Sequence, residues 1–200
     1  MTNGDYVGMR KRSPLAIEEQ GFYFTAIIIG VERGWISREE GEKRILITLQ
    51  TLRKLKRIKG FWYHFIDQDT GNRGWRDSKN VELSNASTGT MLLGALAASE
   101  YFGGEIKNLT QQMYFEMDWK WFTNPATKHP YLACYPEDLP AEIPPGITDQ
   151  GMFGGWSAYA EHLFLYILAA GSPNPSFSTG ADSYYAMKTP LGSYKGEEFI

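Results

Sequence analysis

Glu161 stands in the stretch WSAYAEHLFLYILAAGSP, Trp156 to Pro173, which carries no charge from Leu163 to Gly171 and ends on Gly-Ser-Pro. An uncharged stretch with that ending reads as a buried helix and its stop. A carboxylate there is a surface charge at the rim, a structural anchor, or a catalytic group. On a helix it shares a row with Leu165 and Leu168. That row is apolar, so the carboxylate faces a cavity or has to be paired. Burial raises a carboxylate's pKa, and a raised pKa suits a general acid. The competing reading is a first-turn Glu that the helix dipole stabilises.

Glu82 precedes a second uncharged stretch, LSNASTGTMLLGALAAS, Leu83 to Ser99. It is either a second working carboxylate or an ordinary charge before a helix N-terminus. His64 lies in the aromatic run GFWYHFI and reads first as a hydrogen-bonded structural histidine. Asp67 and Asp69 fall in DQDTGN, where turn chemistry accounts for them. The chain is rich in aromatics, with six Trp, twelve Tyr and eleven Phe. Such rings bury much area and also stack on flat apolar faces, those of sugars included. Trp75, Trp156 and Tyr159 are candidates for stacking, with core packing as the alternative.

Other chemistries find no residues to carry them. There is no Gly-rich phosphate loop and no Gly-x-Ser-x-Gly elbow, and His64, His129 and His162 lack metal-ligand spacing. No cofactor and no metal are expected. Cys134 is the single cysteine, so no disulfide forms within the chain, and a buried structural thiol is the reading. The balance of 20 basic and 23 acidic residues gives a net charge of −3, which offers nucleic acid or anionic membrane no attraction. The basic run RKLKRIKG fits a helix C-terminus. No apolar run reaches the ~20 residues of a membrane span. The start, MTNGDYVGMRKRSP, lacks a signal peptide's apolar core, so either the protein stays inside or a leader is absent.

The positioning elements follow from periodicity. GFYFTAIIIGV, Gly21 to Val31, is uncharged and reads as a helix. Next, ISREEGEKRILITLQTLRKLKRIKG opens on a Ser37-x-x-Glu40 capping box and carries Ile45, Leu49, Leu52 and Leu55 on one stripe. GFWYHFIDQDTGNRGW reads as a short hairpin. The uncharged Leu83–Ser99 helix is capped near Ser84 or Asn85. GGEIKNLTQQMYFEMDW is amphipathic through Ile106, Leu109, Met113 and Met117. Residues 122 to 153 read as one long irregular loop, and such loops are often functional. The helices therefore alternate between uncharged and amphipathic. Helices apolar all round need neighbours on every side. An inner ring of buried helices wrapped by half-buried ones meets that need, which is the logic of an α/α toroid. The expected fold is mainly all-α: one domain over 1–200, a partial ring with a short β-hairpin, irregular over 1–16 and 174–200.

Five segments then occur in order: EEQGFYFTAIIIGVERGWISREEG, GFWYHFIDQDTGNRGW, LSNASTGTMLLGALAASEYF, the pair Asp118-Trp119, and WSAYAEHLFLYILAAGSP. Together they resemble the bacterial glucoamylase-like family, an (α/α)6-toroid group that includes endo-β-1,2-glucanases. The likeness runs from about Glu18 to Pro173, with an echo in YYAMKTP. Members of that family are longer. The resemblance implies that this chain lacks the first helices and stops before the last ones, so that a homo-oligomer or a second subunit would complete the ring. It also implies a glucan as partner, and an exported or periplasmic setting.

Glycoside hydrolysis uses two carboxyl groups that flank the scissile bond, ~6.5–9.5 Å apart for inversion and ~5–5.5 Å for retention. On the resemblance, Glu161 and Glu82 are the acid/base candidates, at the same end of adjacent inner helices. Substrate binding falls to Trp75, Trp156, Tyr159, His64, Asp67 and Ser87. Ser87 marks a departure. The family tends to carry Ile-Asp-Thr-Ala where this chain has Ala86-Ser87-Thr88-Gly89. The expected function is hydrolysis of a bacterial glucan, β-1,2-linked. The alternative is a catalytically inactive glycan- or partner-binding module of the same fold.

Overall fold

A computed structural model describes residues 14–74, 81–137, 146–158 and 162–199. Its first four helices are α1 (Ile17–Glu32), α2 (Arg38–Lys54), α3 (Asn85–Phe102) and α4 (Gly104–Phe115). They are followed by α5 (Leu163–Ala170) and the short α6 (Asp182–Ala186). None of the described helices is long and apolar enough to cross a membrane.

The local sequence explains each helix end. Ser37 caps α2, its side chain accepting from the Glu40 amide at 3.1 Å. Glu40 pairs with Arg44 one turn on, and Arg53 and Lys54 complete the last turn. Ser84 caps α3 by accepting from the Ser87 amide at 3.1 Å. Gly103, with φ of 74°, turns the chain from α3 into α4.

The helices sort into two layers. α1, α3 and α5 are the inner ones, and α2 and α4 lie outside them. Two glycines let α1 and α3 meet backbone to backbone. A Cβ on Gly21 would sit 2.2 Å from the Thr90 carbonyl oxygen, and one on Gly94 2.1 Å from that of Gly21. The two helices run parallel. Their starts share a cleft through Glu18 and Ser87, while at their far ends Tyr101 donates to Glu32. On the other side of α3, Gly89 gives room to Phe164 and Leu165 of α5. The outer pair is joined at the surface, where Arg53 of α2 donates to Gln112 of α4 at 2.8 Å. Ile45, Leu49 and Leu52 face inward from α2, as do Ile106 and Met113 from α4. Leu109 is only half-buried. This is an arc of an α/α toroid, the fold that the alternation of helix types implies.

Strands are short. β1 (Leu15–Ala16) pairs antiparallel with β2 (Phe65–Ile66), Leu15 opposite Ile66 and Ala16 opposite Phe65. The hairpin expected after Gly60 is reduced to the turn from Ile66 to Arg73, because β2 finds its longer partner ahead of α1. β3 (Ala133–Cys134) pairs with β4 (Met152–Phe153), giving the long loop a fixed centre. The tail is not irregular throughout. It holds α6 and a hairpin of β5 (Gly192–Tyr194) and β6 (Glu197–Phe199), turned by Lys195 and Gly196 at positive φ. Cys134 is buried and free, and burial pushes its thiol up to about 12.

One helix is shorter than its sequence suggests. Trp156 to Ala158 are not helical, and α5 starts at Leu163 with His162 before it. The Trp156 amide donates to the Pro130 carbonyl and Ala158 bridges to Lys188. Backbone partners outside any helix hold this segment, so apolar composition alone misplaces the start.

Candidate functional site

The site is built where the segment from Phe61 to Ile66 passes the starts of α1 and α3. The Ile17 amide donates to the His64 carbonyl at 3.1 Å, and the His64 amide donates to the Glu82 carbonyl at 2.9 Å. His64 is therefore clamped by its own backbone between the residue that opens α1 and a residue just before α3. Two positions earlier, the Trp62 carbonyl accepts from the Ser84 amide at 3.1 Å. The Trp62 amide in turn donates to the Thr88 hydroxyl at 3.1 Å.

This clamp dictates the side-chain geometry. The imidazole of His64 lies between two carboxylates, with Nδ1 2.7 Å from Glu82 Oε1 and Nε2 3.0 Å from Glu18 Oε1. Phe65 stacks on the ring at 4.0 Å. Burial favours the neutral imidazole, but the two carboxylates outweigh it and lift the His64 pKa to about 9. His64 is an imidazolium at neutral pH. Burial also works against the charge on Glu18, yet the bond to His64 and the Ser87 hydroxyl keep its pKa below the usual carboxylate value.

The triad opens on a cleft of about 380 Å³. Its polar wall is Glu18, His64, Glu82, Ser84 and Ser87. Leu132, Ala133, Phe153 and Trp156 line it as well. Trp156 is oriented by Asn85, whose carbonyl accepts the indole N–H at 3.3 Å, and by His162 at 4.0 Å from its ring. A cleft lined by both charged groups and aromatic rings suits a polar ring with apolar faces, as a pyranose has.

Of the residues singled out in the sequence, Glu82, His64, Ser87 and Trp156 come together here. Asp67 does not line the cleft. Its Oδ1 accepts from the Asp69 and Thr70 amides and the Thr70 hydroxyl, which holds the turn. Glu161, Tyr159 and Trp75 lie outside the described residues. Glu18 was not singled out, although it opens an inner helix just as Glu82 precedes one. That shared position was the available signal. Among the described residues no group of three His, Cys, Asp or Glu is placed to hold a metal ion.

No family model matches the chain. An exo-β-1,2-glucooligosaccharide sophorohydrolase of Parabacteroides distasonis is 31% identical over 91% of this chain and 29% of its own length. Among solved structures, an endo-β-1,2-glucanase from Chitinophaga pinensis, in complex with sophorotriose and glucose, superposes with a TM-score of 0.74. It is 26% identical over 92% of this chain and 44% of that one. A protein of Bacteroides uniformis, provisionally designated a glucoamylase, gives a TM-score of 0.71 at 25% identity, over 86% of this chain and 40% of that one. The chain thus spans less than half the length of each of these relatives.

Proposed function

The chain belongs to the glucoamylase-like family of α/α-toroid proteins, and on that footing we propose that its cleft hydrolyses a β-1,2-linked glucan by carboxylate acid/base catalysis. The observation that carries the reading is the Glu18–His64–Glu82 arrangement in a cleft that Trp156 also lines. Relatives named for β-1,2-glucan chemistry supply the substrate class.

The reaction needs two roles. Glu82 holds one oxygen 2.7 Å from His64 Nδ1, which fixes its orientation in the cleft. In this reading the carboxylate so oriented takes the water-activating side of the reaction. The acid then has to come from elsewhere, and Glu161 is the candidate the sequence offers. His64 and Glu18 act as positioning residues, while Trp156 gives the sugar a face to stack on.

Ser87 favours a second reading, an inactive glycan-binding module. It is 5% exposed and lines the cleft beside Glu18, where the family tends to carry an acid.

Reducing ends released from β-1,2-gluco-oligosaccharides, together with calorimetric binding, test both. Wild-type chain is expected to release them. Glu82→Gln and Glu161→Gln are expected to lose about 10²–10⁴-fold in turnover with circular dichroism unchanged. Full turnover in either variant removes that residue from the acid/base pair. Binding without release by the wild type establishes the second reading.

A further inference from the structure

The β3–β4 pair has two faces, and each lines a hollow. Ala133 and Phe153, opposite each other in register, face the cleft. Met152, one residue along β4, lines a separate groove of about 410 Å³ behind it. We propose that this groove is a second, non-catalytic saccharide site. It takes a neutral pyranose unit.

Two rings form its apolar part. Trp121 and Tyr131 are both half-buried and both pack on the core. Trp121 is held in place, because its amide donates to Asp118 Oδ1 at 2.9 Å and its ring meets Phe122 edge-on at 5.4 Å. Tyr131 is fixed through its backbone. Its amide donates to the Phe122 carbonyl at 3.0 Å, and its carbonyl accepts from the Asn85 side chain at 2.8 Å. Rigid aromatic surface recognises a ligand at low entropic cost.

The polar part is mixed and electrically balanced. Lys120, Asp149 and Gln150 are exposed at the groove, with Thr148 beside them. One cation and one anion cancel, so the lining has no net formal charge. It offers donors and acceptors together, which fits neighbouring hydroxyl groups better than a phosphate, a carboxylate or a cation. Aromatic faces with such a rim are the requirements of a sugar ring. That the sugar is a glucan rests on the reading of the cleft; that it is a neutral pyranose rests on the groove alone.

One residue bridges the walls of the two hollows. Asn85 donates to Tyr131 and accepts from Trp156, so it ties the groove's wall to the cleft's. A perturbation at one could be relayed to the other, and the test must separate relay from binding.

The chain has six tryptophans, hence six indole N–H signals in a ¹H–¹⁵N spectrum of the ¹⁵N-labelled full chain. Trp121→Phe and Trp156→Phe assign the two that matter. Titration uses sophorotriose in a Glu82→Gln background. The expected result is that both signals move, and that Asp149→Ala with Gln150→Ala weakens the Trp121 titration by about tenfold or more while Trp156 still titrates. A Trp121 signal that never moves overturns the groove. So does a Trp121 shift that survives the double substitution unchanged, since it would then be relayed through Asn85. Movement of Trp121 without Trp156 supports the groove and removes the cleft reading instead. The substituted side chains are exposed, and the remaining spectrum reports whether the fold is kept.

Discussion

His64 and Glu82 are joined twice, once by backbone and once by side chain. The His64 amide donates to the Glu82 carbonyl at 2.9 Å, and His64 Nδ1 lies 2.7 Å from Glu82 Oε1. The backbone bond fixes where the imidazole starts, and the carboxylates fix its charge. Glu82→Ala should therefore leave the ring in place but bring its pKa down from about 9 towards the usual histidine value. Titration of the His64 ring signals by NMR reads this directly. An unchanged pKa in the variant would show that Glu82 does not hold the proton.

The same pair makes stability depend on pH. His64 titrates at about 9 when folded and at the ordinary 6.5 when unfolded. A group whose folded pKa is raised contributes fully below its unfolded value and loses that contribution as pH climbs through the folded one. The site's contribution is therefore complete below 6.5 and disappears as pH approaches and passes about 9. Its size is on the order of 2 kcal/mol once solvent screening of these partly exposed groups is allowed for. Glu18 behaves oppositely. Its pKa is lowered, so its contribution is present above 4.5 and lost on acidification below that. Urea midpoints across the alkaline range should slope downward in the wild type and flatten in His64→Gln. Parallel slopes in the two proteins would refute the assignment.

Gly21 and Gly94 tie this electrostatics to packing. A methyl group on Gly94 would stand 2.1 Å from the Gly21 carbonyl oxygen, with backbone on both sides and no side chain to yield. Gly94→Ala should cost about 1–3 kcal/mol or more, as overpacking of a tight core does. It should also push α1 off α3, carrying Glu18 away from His64. Thermal melts report the first effect and the His64 titration the second. A stable variant with an unaltered His64 pKa would mean that the helices can slide without cost.

How far the sequence revealed this depends on the kind of signal. The helices were legible because burial needs leave a periodic trace: α2 has its cap at Ser37 and its stripe of Ile45, Leu49 and Leu52, and α3 carries no charge before Glu100. Glu82 was legible because it stands beside such a helix. The role of His64 was not, since nothing local shows that residues 46 positions earlier and 18 later meet its two nitrogens. The start of α5 was overextended because Trp156 to Ala158 look apolar, while their bonds to Pro130 and Lys188 are long-range.

Thr88 is the buried polar group that shapes the clamp from below. It is fully buried, and its hydroxyl accepts from the Trp62 amide at 3.1 Å. Thr88→Val keeps the volume but leaves that amide without its acceptor. The expected loss is about 1–3 kcal/mol, the cost of an unpaired buried donor. Thr88→Ser, which keeps the hydroxyl, should recover most of it. Equal stability of the Val and Ser variants in urea melts would place the role of Thr88 in packing alone.

Ser87 tests what the cleft has lost or never needed. It lines the cleft beside Glu18, and its amide already caps onto Ser84. In Ser87→Asp a third carboxylate would join Glu18 and Glu82 around a single imidazolium. One cation cannot hold three anions ionised, so one carboxyl must titrate above its ordinary range. A carboxyl protonated near neutral pH is the form that a general acid requires. The variant should therefore show a new group titrating above the usual carboxylate range in its pH–rate profile, with hydrolysis raised on its acid side. It should be less stable than the wild type above that pKa, where the extra charge is uncompensated. A pH–rate profile identical to the wild type's would mean that an acid at this position has no access to the reacting bond, and would leave the acid's role with Glu161.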